Sequence, residues 1–335
     1  MKSKLKFIIP IVSVFAVAGI VLAIVLINKS GSSDAYRVIK VVEATGNVLI
    51  SRSSAGDITA YSGMALQSGD NIHVDGNSSL ILMMDSDKMA YVEQNTTFSL
   101  IAEGTAKNSK TVIDLTEGAV TCEIIEKLSD GSSYEVSTPN STMAVRGTGF
   151  RTEVEEPLSS DSNANPSEEF IMNAVGASSL PEGSSAVRIT VTDGFVSVSI
   201  NGLNGSTKDF KAGTDTVIAG TSDNASIVLE NTTIDPNTFT IQALKFFEKI
   251  SENSGKMSVP MQDLYNAIDA QTADEYTVSF YVGSTLFASQ KVKAGGQATE
   301  PLLKPSENGY WDVTFTEPVN SNLTIKWKEQ QNQLQ

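Results

Sequence analysis

From residue 36 onward, apolar side chains recur at every second position, and that period decides which class of structure is open to the chain. "VIKVVEATGNVLIS", "SSLILMMD", "TVIDLTEGAVTCEI", "AVRITVTDGFVSVSI" and "KDFKAGTDTVIAG" are short β-branched runs punctuated by Gly, Asp, Asn and Ser. Successive side chains of a strand point to opposite faces, so these runs describe strands with one face buried. No helical period interrupts them before about residue 233. The expected fold is mainly β, with a large antiparallel all-β domain over residues 36–232.

An internal repeat runs through these strands. "VVEATGNVLI", "IDLTEGAVTCEI" and "ITVTDGFVSVSI" each place an apolar residue five positions before a glycine and a valine two after it, at Gly46, Gly118 and Gly194. Preceded by Thr45, Glu117 and Asp193, each glycine is expected at a tight turn with positive φ that joins two antiparallel strands. The wide spacing points to repeated hairpins within one domain rather than to solenoid units. The repeat also aligns Cys122 with Val198, between Val120 and Ile124, which makes the thiol a small core residue.

The N-terminus carries a different signal. Lys2, Lys4 and Lys6 precede an uncharged apolar stretch at residues 7–27, long enough to span a hydrocarbon core of ~30 Å at ~1.5 Å per residue. It is longer than the apolar region of a cleaved signal peptide, and the residues after it fill a cleavage site only weakly, so an uncleaved signal anchor is expected. The lysines hold residues 1–6 in the cytoplasm, and the bulk of the chain, after a linker at 28–35, is then extracytoplasmic.

Within the β region, residues 155–185 are polar and Pro-punctuated and read as an exposed insertion, with a short ordered piece at "FIMNAV". After it the period changes to that of helices. At residues 233–272 a helical pair is expected: Asp235 caps the first, with Phe239, Ala243, Phe246, Phe247 and Ile250 on one face and Gly255 ending it. Ser258 caps the second, with Met261, Leu264, Tyr265 and Ile268 on its apolar face. Aromatic stripes at helical spacing mark core, so the pair is expected to pack on the β domain or bridge to the next one, with a partner-binding face as the alternative.

Charge and chemistry narrow the function. The chain has 24 Lys+Arg against 39 Asp+Glu, a formal net charge of −15, which disfavours nucleic acid. A single Cys excludes an internal disulfide framework, and a single His, His73, excludes most metal sites and His-dependent triads. His73 alternates with Ile72 and Val74 and reads as a residue on the exposed face of a strand. Asp85 and Asp87 read as a solvated turn, and the pairs Glu155-Glu156 and Glu168-Glu169 fall in the insertion, too loose for catalytic geometry. No catalytic constellation, cofactor, metal or small-molecule substrate is indicated. "RGTGF" at 146–150 resembles a phosphate loop, but "RTEV" follows it as another strand, so no helix N-terminus closes on an anion. Arg146, Gly147 and Thr148 are therefore read as a tight strand-to-strand crossing.

Taken in order, "TGNVLIS", "SGMALQSGDNIHV", "SSLILMMDSDKMAYVEQNTTFSL", "LTEGAVTCEI" and "YEVSTPNSTMAVRGTGFRTEV" resemble the pattern of FecR-family extracytoplasmic domains. The resemblance implies an all-β domain outside the membrane and, in the best-known members, a partner role in signalling to a sigma factor, with Arg146, Gly147 and Thr148 as family signature. Sigma-factor regulators of that family carry a folded cytoplasmic segment ahead of the anchor, where this chain has "MKSKLK". The last segment, 273–329, resembles the Listeria–Bacteroides type surface repeat, a small β-grasp-like module: Y-T-V-S-F at 276–280, V-K-A-G at 292–295, Ala298, Pro301, Pro305, Gly309-Tyr310 and I-K-W at 325–327, before a tail at 330–335. The family's G-x-W is missing, since Trp311 follows Tyr310 directly. The expected function is a membrane-anchored, non-catalytic sensing or scaffolding module at the cell surface with a protein or cell-wall partner. The alternative is adhesion or wall binding.

Overall fold

The computed structural model describes residues 37–53, 55–145, 147–155, 165–176, 180–202, 207–301 and 304–329. The expected anchor, cytoplasmic segment, linker and tail lie outside the described residues, among which no helix is long and apolar enough to cross a membrane. The chain divides into two compact units, Met1–Leu264 and Tyr265–Gln335.

The first unit is built from β1 (Ile39–Thr45), β2 (Val48–Arg52), β3 (Gly56–Thr59), β4 (Ala65–Leu66), β5 (Asn71–Val74), β6 (Ser79–Met84), β7 (Lys88–Val92), β8 (Thr96–Thr105), β9 (Asn108–Ile124), β10 (Ser133–Ser137), β11 (Ser141–Val145), β12 (Gly149–Glu155), β13 (Ser185–Asp193), β14 (Phe195–Ile200), β15 (Thr207–Lys211), β16 (Thr214–Gly220) and β17 (Ala225–Thr233). One sheet runs β4-β1-β6-β7-β9-β12-β13-β16-β17, all antiparallel. The other runs β3-β2-β5-β8-β9-β10-β11-β14-β15, where β9 and β10 are parallel. β9, 17 residues long, belongs to both. Its residues 108–117 pair with β8, and its residues 118–124 pair with β7 or β12.

The period of two fills the space between the sheets. Leu82, Val92, Val120, Phe150 and Ile189 from the first sheet meet Ile50, Ile72, Phe98, Leu115 and Val198 from the second in one cluster. Cys122 lies in this core as expected. The Tyr134 hydroxyl donates to its Sγ at 3.2 Å, and burial pushes the thiol up to about 12, which leaves it protonated and inert.

The repeated glycines sit at positive φ, at 73° for Gly46, 80° for Gly118 and 71° for Gly194, but they do not close hairpins. β1 and β2 lie in different sheets, as do β13 and β14, and β9 passes through Gly118 from one sheet to the other. Each glycine is a corner where a strand changes sheet. A facing residue clamps each corner. The Ser78 hydroxyl accepts from Asn47 N at 2.9 Å, Thr96 Oγ1 accepts from Ala119 N at 3.0 Å, and Thr148 Oγ1 donates to Phe195 O at 2.9 Å. Ahead of each clamp stands another residue at positive φ: Asn77, Asn95 and Gly147. Asn fits two of these places because its short amide tolerates the left-handed region.

Among the described residues three helices accompany the β framework: α1 (Pro166–Val175), α2 (Ile241–Ser254) and α3 (Met261–Thr272). The region expected to be an exposed insertion holds α1, capped by a reciprocal Asn165–Glu168 box. Its Ile171 is buried against Ala186, Val217 and Ala219 on the outer face of the first sheet. Phe170, Ile171, Ala174 and Val175 form a helical stripe too short to stand out between polar flanks. α2 covers the same sheet farther along, where Phe246 and Ile250 pack on Ile81, Met83, Met89 and Tyr91. Its cap is Thr240, whose hydroxyl accepts from Ala243 N at 3.1 Å, not Asp235. Asp235 caps a single 3₁₀ turn, Pro236–Thr238, which leaves Phe239 outside the helix, while Gly255 ends α2 as expected. α3 starts on the Pro260 carbonyl, which accepts from Asp263 N, while Ser258 N donates to Thr192 O instead of capping. Leu264 and Ala267 are its buried residues, and Tyr265, expected inside, is exposed.

The second unit holds β18 (Glu275–Val282), β19 (Thr285–Lys293), β20 (Gly309–Trp311) and β21 (Leu323–Glu329) in the order β19-β18-β21-β20, with β18 and β21 parallel. Val278, Phe280, Val292, Trp311, Ile325 and Trp327 form its core.

An alanine Cβ at Gly118 would lie 2.4 Å from the Asn95 carbonyl oxygen, whereas at Gly63, also at positive φ, it would meet nothing within 4 Å. Gly63→Ala should therefore cost only the backbone strain, on the order of 1–2 kcal/mol, and Gly118→Ala at least twice as much. Urea unfolding followed by far-UV circular dichroism measures both; equal losses would refute the corner reading.

Candidate functional site

Two wide faces of the first unit were open to carry function, and the structure treats them differently. On the outer face of the first sheet the register sets Glu93 beside Ala119, then Glu153, Arg188 and Val217. One row over stand Tyr91, Thr121, Arg151, Thr190 and Asp215. Alternation places charges on a face that α1, α2 and the Pro236–Thr238 turn then cover, so each charge needs a partner inside.

Each finds one. Because Ala119 is small, Arg151 reaches across it to Glu93 (Nε–Oε1, 2.6 Å; Nη2–Oε2, 3.1 Å), and its Nη1 bonds Glu153 at 2.7 Å. Arg188 forks onto Asp215 (Nη2–Oδ2, 2.7 Å; Nε–Oδ1, 3.3 Å), and also donates to Thr238 O at 2.7 Å and to the Ser167 hydroxyl at 3.1 Å. Its guanidinium lies between the Phe170 and Phe239 rings, at 4.0 and 3.8 Å from their centroids. Planar, delocalised guanidinium suits such a stack, as ammonium does not. Ser167 donates to Glu153 and Thr240 donates to Glu93 at 3.0 Å, so the first turn of α1 and the cap of α2 are tied to the two acids that hold Arg151.

Burial alone would raise the Glu153 carboxyl, but Arg151, the neighbouring Arg188 and the Ser167 hydroxyl outweigh it and hold it below the usual carboxylate range. At the end of the same strand, Glu155 feels Arg151 too weakly to offset its surroundings. Burial, with Glu153 and Glu168 adding repulsion, pushes it up to about 8. This network was not read from the sequence. "FRTEVE" and "VRITVTD" showed polar residues at every second position, but nothing local said that helices would close over them.

The expected signature is divided. Arg146 lies outside the described residues. Gly147 has a φ of 125°, and Thr148 is buried with its carbonyl accepting from Ile124 N. Both belong to the third corner clamp, not to an anion cradle. Asp85 and Asp87 stand in a turn as expected, with the Asp87 side chain partly exposed, but the Asp85 carboxylate is buried in a charge cluster. Arg37 Nη2 bonds Asp85 at 2.8 Å, and the fully buried Lys88 contacts both acids. Glu168 is fixed in the α1 cap rather than loose. Among the described residues no group of three or more His, Cys, Asp or Glu is placed to hold a metal.

Among the described residues no helix covers the outer face of the second sheet, which carries small polar groups in register. One row runs Asp57, Ser51, Asn71, Ser99, Asp114, Ser137, Thr142, Ser199 and Thr207 across every strand. His73 stands on this face as expected, half exposed, with Nδ1 2.8 Å from Thr97 Oγ1. It is the open face of the unit.

Two measurements check the covered face. Arg188→Met leaves Asp215 buried without its cation and should cost about 3–5 kcal/mol, much of it recovered in Arg188→Met/Asp215→Leu; equal losses in urea would disprove the pairing. Glu155, with its folded pKa above the unfolded value, favours the protonated fold. Stability from this group is fully present below about pH 4.5 and is lost as pH rises to about 8. The melting temperature of Glu155→Gln should therefore gain on the parent between those limits and not below them.

No family model and no curated protein sequence matches the chain. Among solved structures it is similar to a "putative anti-sigma factor" from Parabacteroides distasonis ATCC 8503, with 12% identity over 78% of this chain and 99% of that one and a TM-score of 0.34. A second structure with the same description and source shares 13% identity over 61% of this chain and 92% of that one, also at a TM-score of 0.34.

Proposed function

We propose that the chain is a membrane-anchored, non-catalytic module of the cell surface that binds a protein partner through the open face of its second sheet. The observation that supports this is the contrast between the two outer faces. One is sealed by helices and internally neutralised; the other presents in-register hydroxyl, amide and carboxyl groups that no helix covers among the described residues. The ordered FecR-like motifs favour a sensing or scaffolding role for such a face. The solved anti-sigma structures fit that role, but at a TM-score of 0.34 the weight rests on the motifs. The apolar stretch at 7–27 behind three lysines would anchor the chain with its β units outside. Adhesion or wall binding is the second reading, favoured by the resemblance of residues 273–329 to a surface repeat.

A photo-crosslinking residue placed at Ser99 or Thr142 should capture one discrete partner in intact cells, and one placed at Lys245 on α2 should not. No adduct from the second sheet, or the same adduct from both faces, would overturn the assignment. Protease added to intact cells should remove the β units. Full protection would refute the extracytoplasmic placement.

A further inference from the structure

The sheet of the second unit has a face that its core does not use. Val278, Phe280, Val292, Ile325 and Trp327 point inward, so alternation sends Lys291, Lys293, Lys326 and Lys328 to the opposite side. All four are exposed, and none forms an ion pair among the described residues. Lys291 bonds the Thr277 hydroxyl at 2.9 Å and Lys293 bonds Ala270 O at 2.5 Å. The register completes the face: Leu286, Tyr281 and Lys326 form one row, Ser289, Ser279 and Thr324 a second, and Tyr310 stands opposite Lys328. Tyr310 and Leu286 are each 53% exposed. The acids near it are Glu275, opposite Lys293, and Asp312, whose carboxylate is occupied by Lys326 N.

In a chain of net charge −15, four unpaired lysines on one sheet face are a local reversal of sign. We propose that this face binds an anionic polysaccharide, with the lysines meeting its acid groups, Tyr310 stacking on a sugar ring and the Ser289–Ser279–Thr324 row bonding its hydroxyls. Charge density favours this occupant over nucleic acid. DNA carries a charge per ~1.7 Å, and so dense a polyanion is repelled by the rest of the chain. A polyuronate carries one carboxylate per sugar and offers neutral hydroxyls to the central row. The proposal goes beyond the partner-binding reading and depends on it only for the extracytoplasmic place where such a polymer would be met.

The test uses the full chain in neutral-lipid nanodiscs, with polygalacturonate as probe and dextran and oligothymidylate as competitors. Binding to polygalacturonate should exceed binding to either competitor, weaken with salt, and fall at least tenfold in Lys326→Glu/Lys328→Glu. Tyr310→Ala should lose several-fold in a manner that salt does not remove. The charge-matched control Lys107→Glu/Lys127→Glu, on the first unit, should bind like the parent. Absent polygalacturonate binding, equal binding to a competitor, or equal loss in the control would each overturn the proposal, as would an unaffected Lys326→Glu/Lys328→Glu chain with a normal circular dichroism spectrum. Measured on purified chain, failure here leaves the cellular placement standing, and a chain found inside the cell would leave the measured binding standing.

Discussion

The crossing of β9 at Gly118 is the constraint on which the first unit depends. A strand that pairs in one sheet as far as Glu117 and in the other from Gly118 ties the two layers covalently at their middle. It also reverses which face of the strand looks inward. Ile113 and Leu115 fill the core before the corner, and Val120, Cys122 and Ile124 fill it after. The parity change comes with the extra residue that the register leaves at Thr116, close to the left-handed Gly118, because a regular strand would turn one apolar set out to solvent. Only glycine meets both demands there, a positive φ and a Cβ-free approach to the Asn95 carbonyl.

From this layout the fate of the charges follows. The outer face of the first sheet could be covered only if Arg151 and Arg188 were neutralised in place, since guanidinium does not lose its proton. Glu93, Glu153 and Asp215 neutralise them, and the ring of Phe239 with Phe170 supplies the rest of the Arg188 environment. Such a network adds little net stability over an apolar face of equal volume, because desolvation offsets most of the attraction. What it adds is direction. A fork onto Asp215 and bonds to Ser167 and Thr238 accept α1 and the 3₁₀ turn in one position, where a greasy face would accept several.

Period two made the β class legible, and the repeat located the three special glycines at the right residues. What the repeat hid was their partner. Ser78, Thr96 and Thr148 stand far from Gly46, Gly118 and Gly194 in sequence, so a corner clamped across the sandwich looked like a hairpin closed on itself. The clamp does explain "RGTG": Gly147-Thr148 occupies the place of Asn77-Ser78 and Asn95-Thr96. The helix caps were misplaced for a local reason. Asp235-Pro236 satisfies every rule for a helix start, and it starts a 3₁₀ turn that Phe239 interrupts to reach Arg188. The buried ion network was invisible because burial of a polar strand face is decided by elements outside the strand, with Ser167 standing 14 residues from Glu153 and Thr240 standing 147 residues from Glu93.

The same physics separates the two uses of charge in this chain. Where charged side chains face covering elements, they are matched acid to base, bonded at 2.6–3.3 Å, and closed to ligands. Where they face solvent on β19 and β21, like charges stand at i and i+2, and although Glu275 lies opposite Lys293 and Asp312 accepts from Lys326 N, none of these lysines forms an ion pair among the described residues. Repulsion between such lysines costs a few tenths of a kcal/mol in open water, where ~10 Å of electrolyte screens them. A fold that only needed an exposed strand face could have used threonine there, as the second sheet of the first unit does with Ser99, Thr142 and Ser199. Leaving the cations unpaired serves stability poorly and serves an anionic ligand well.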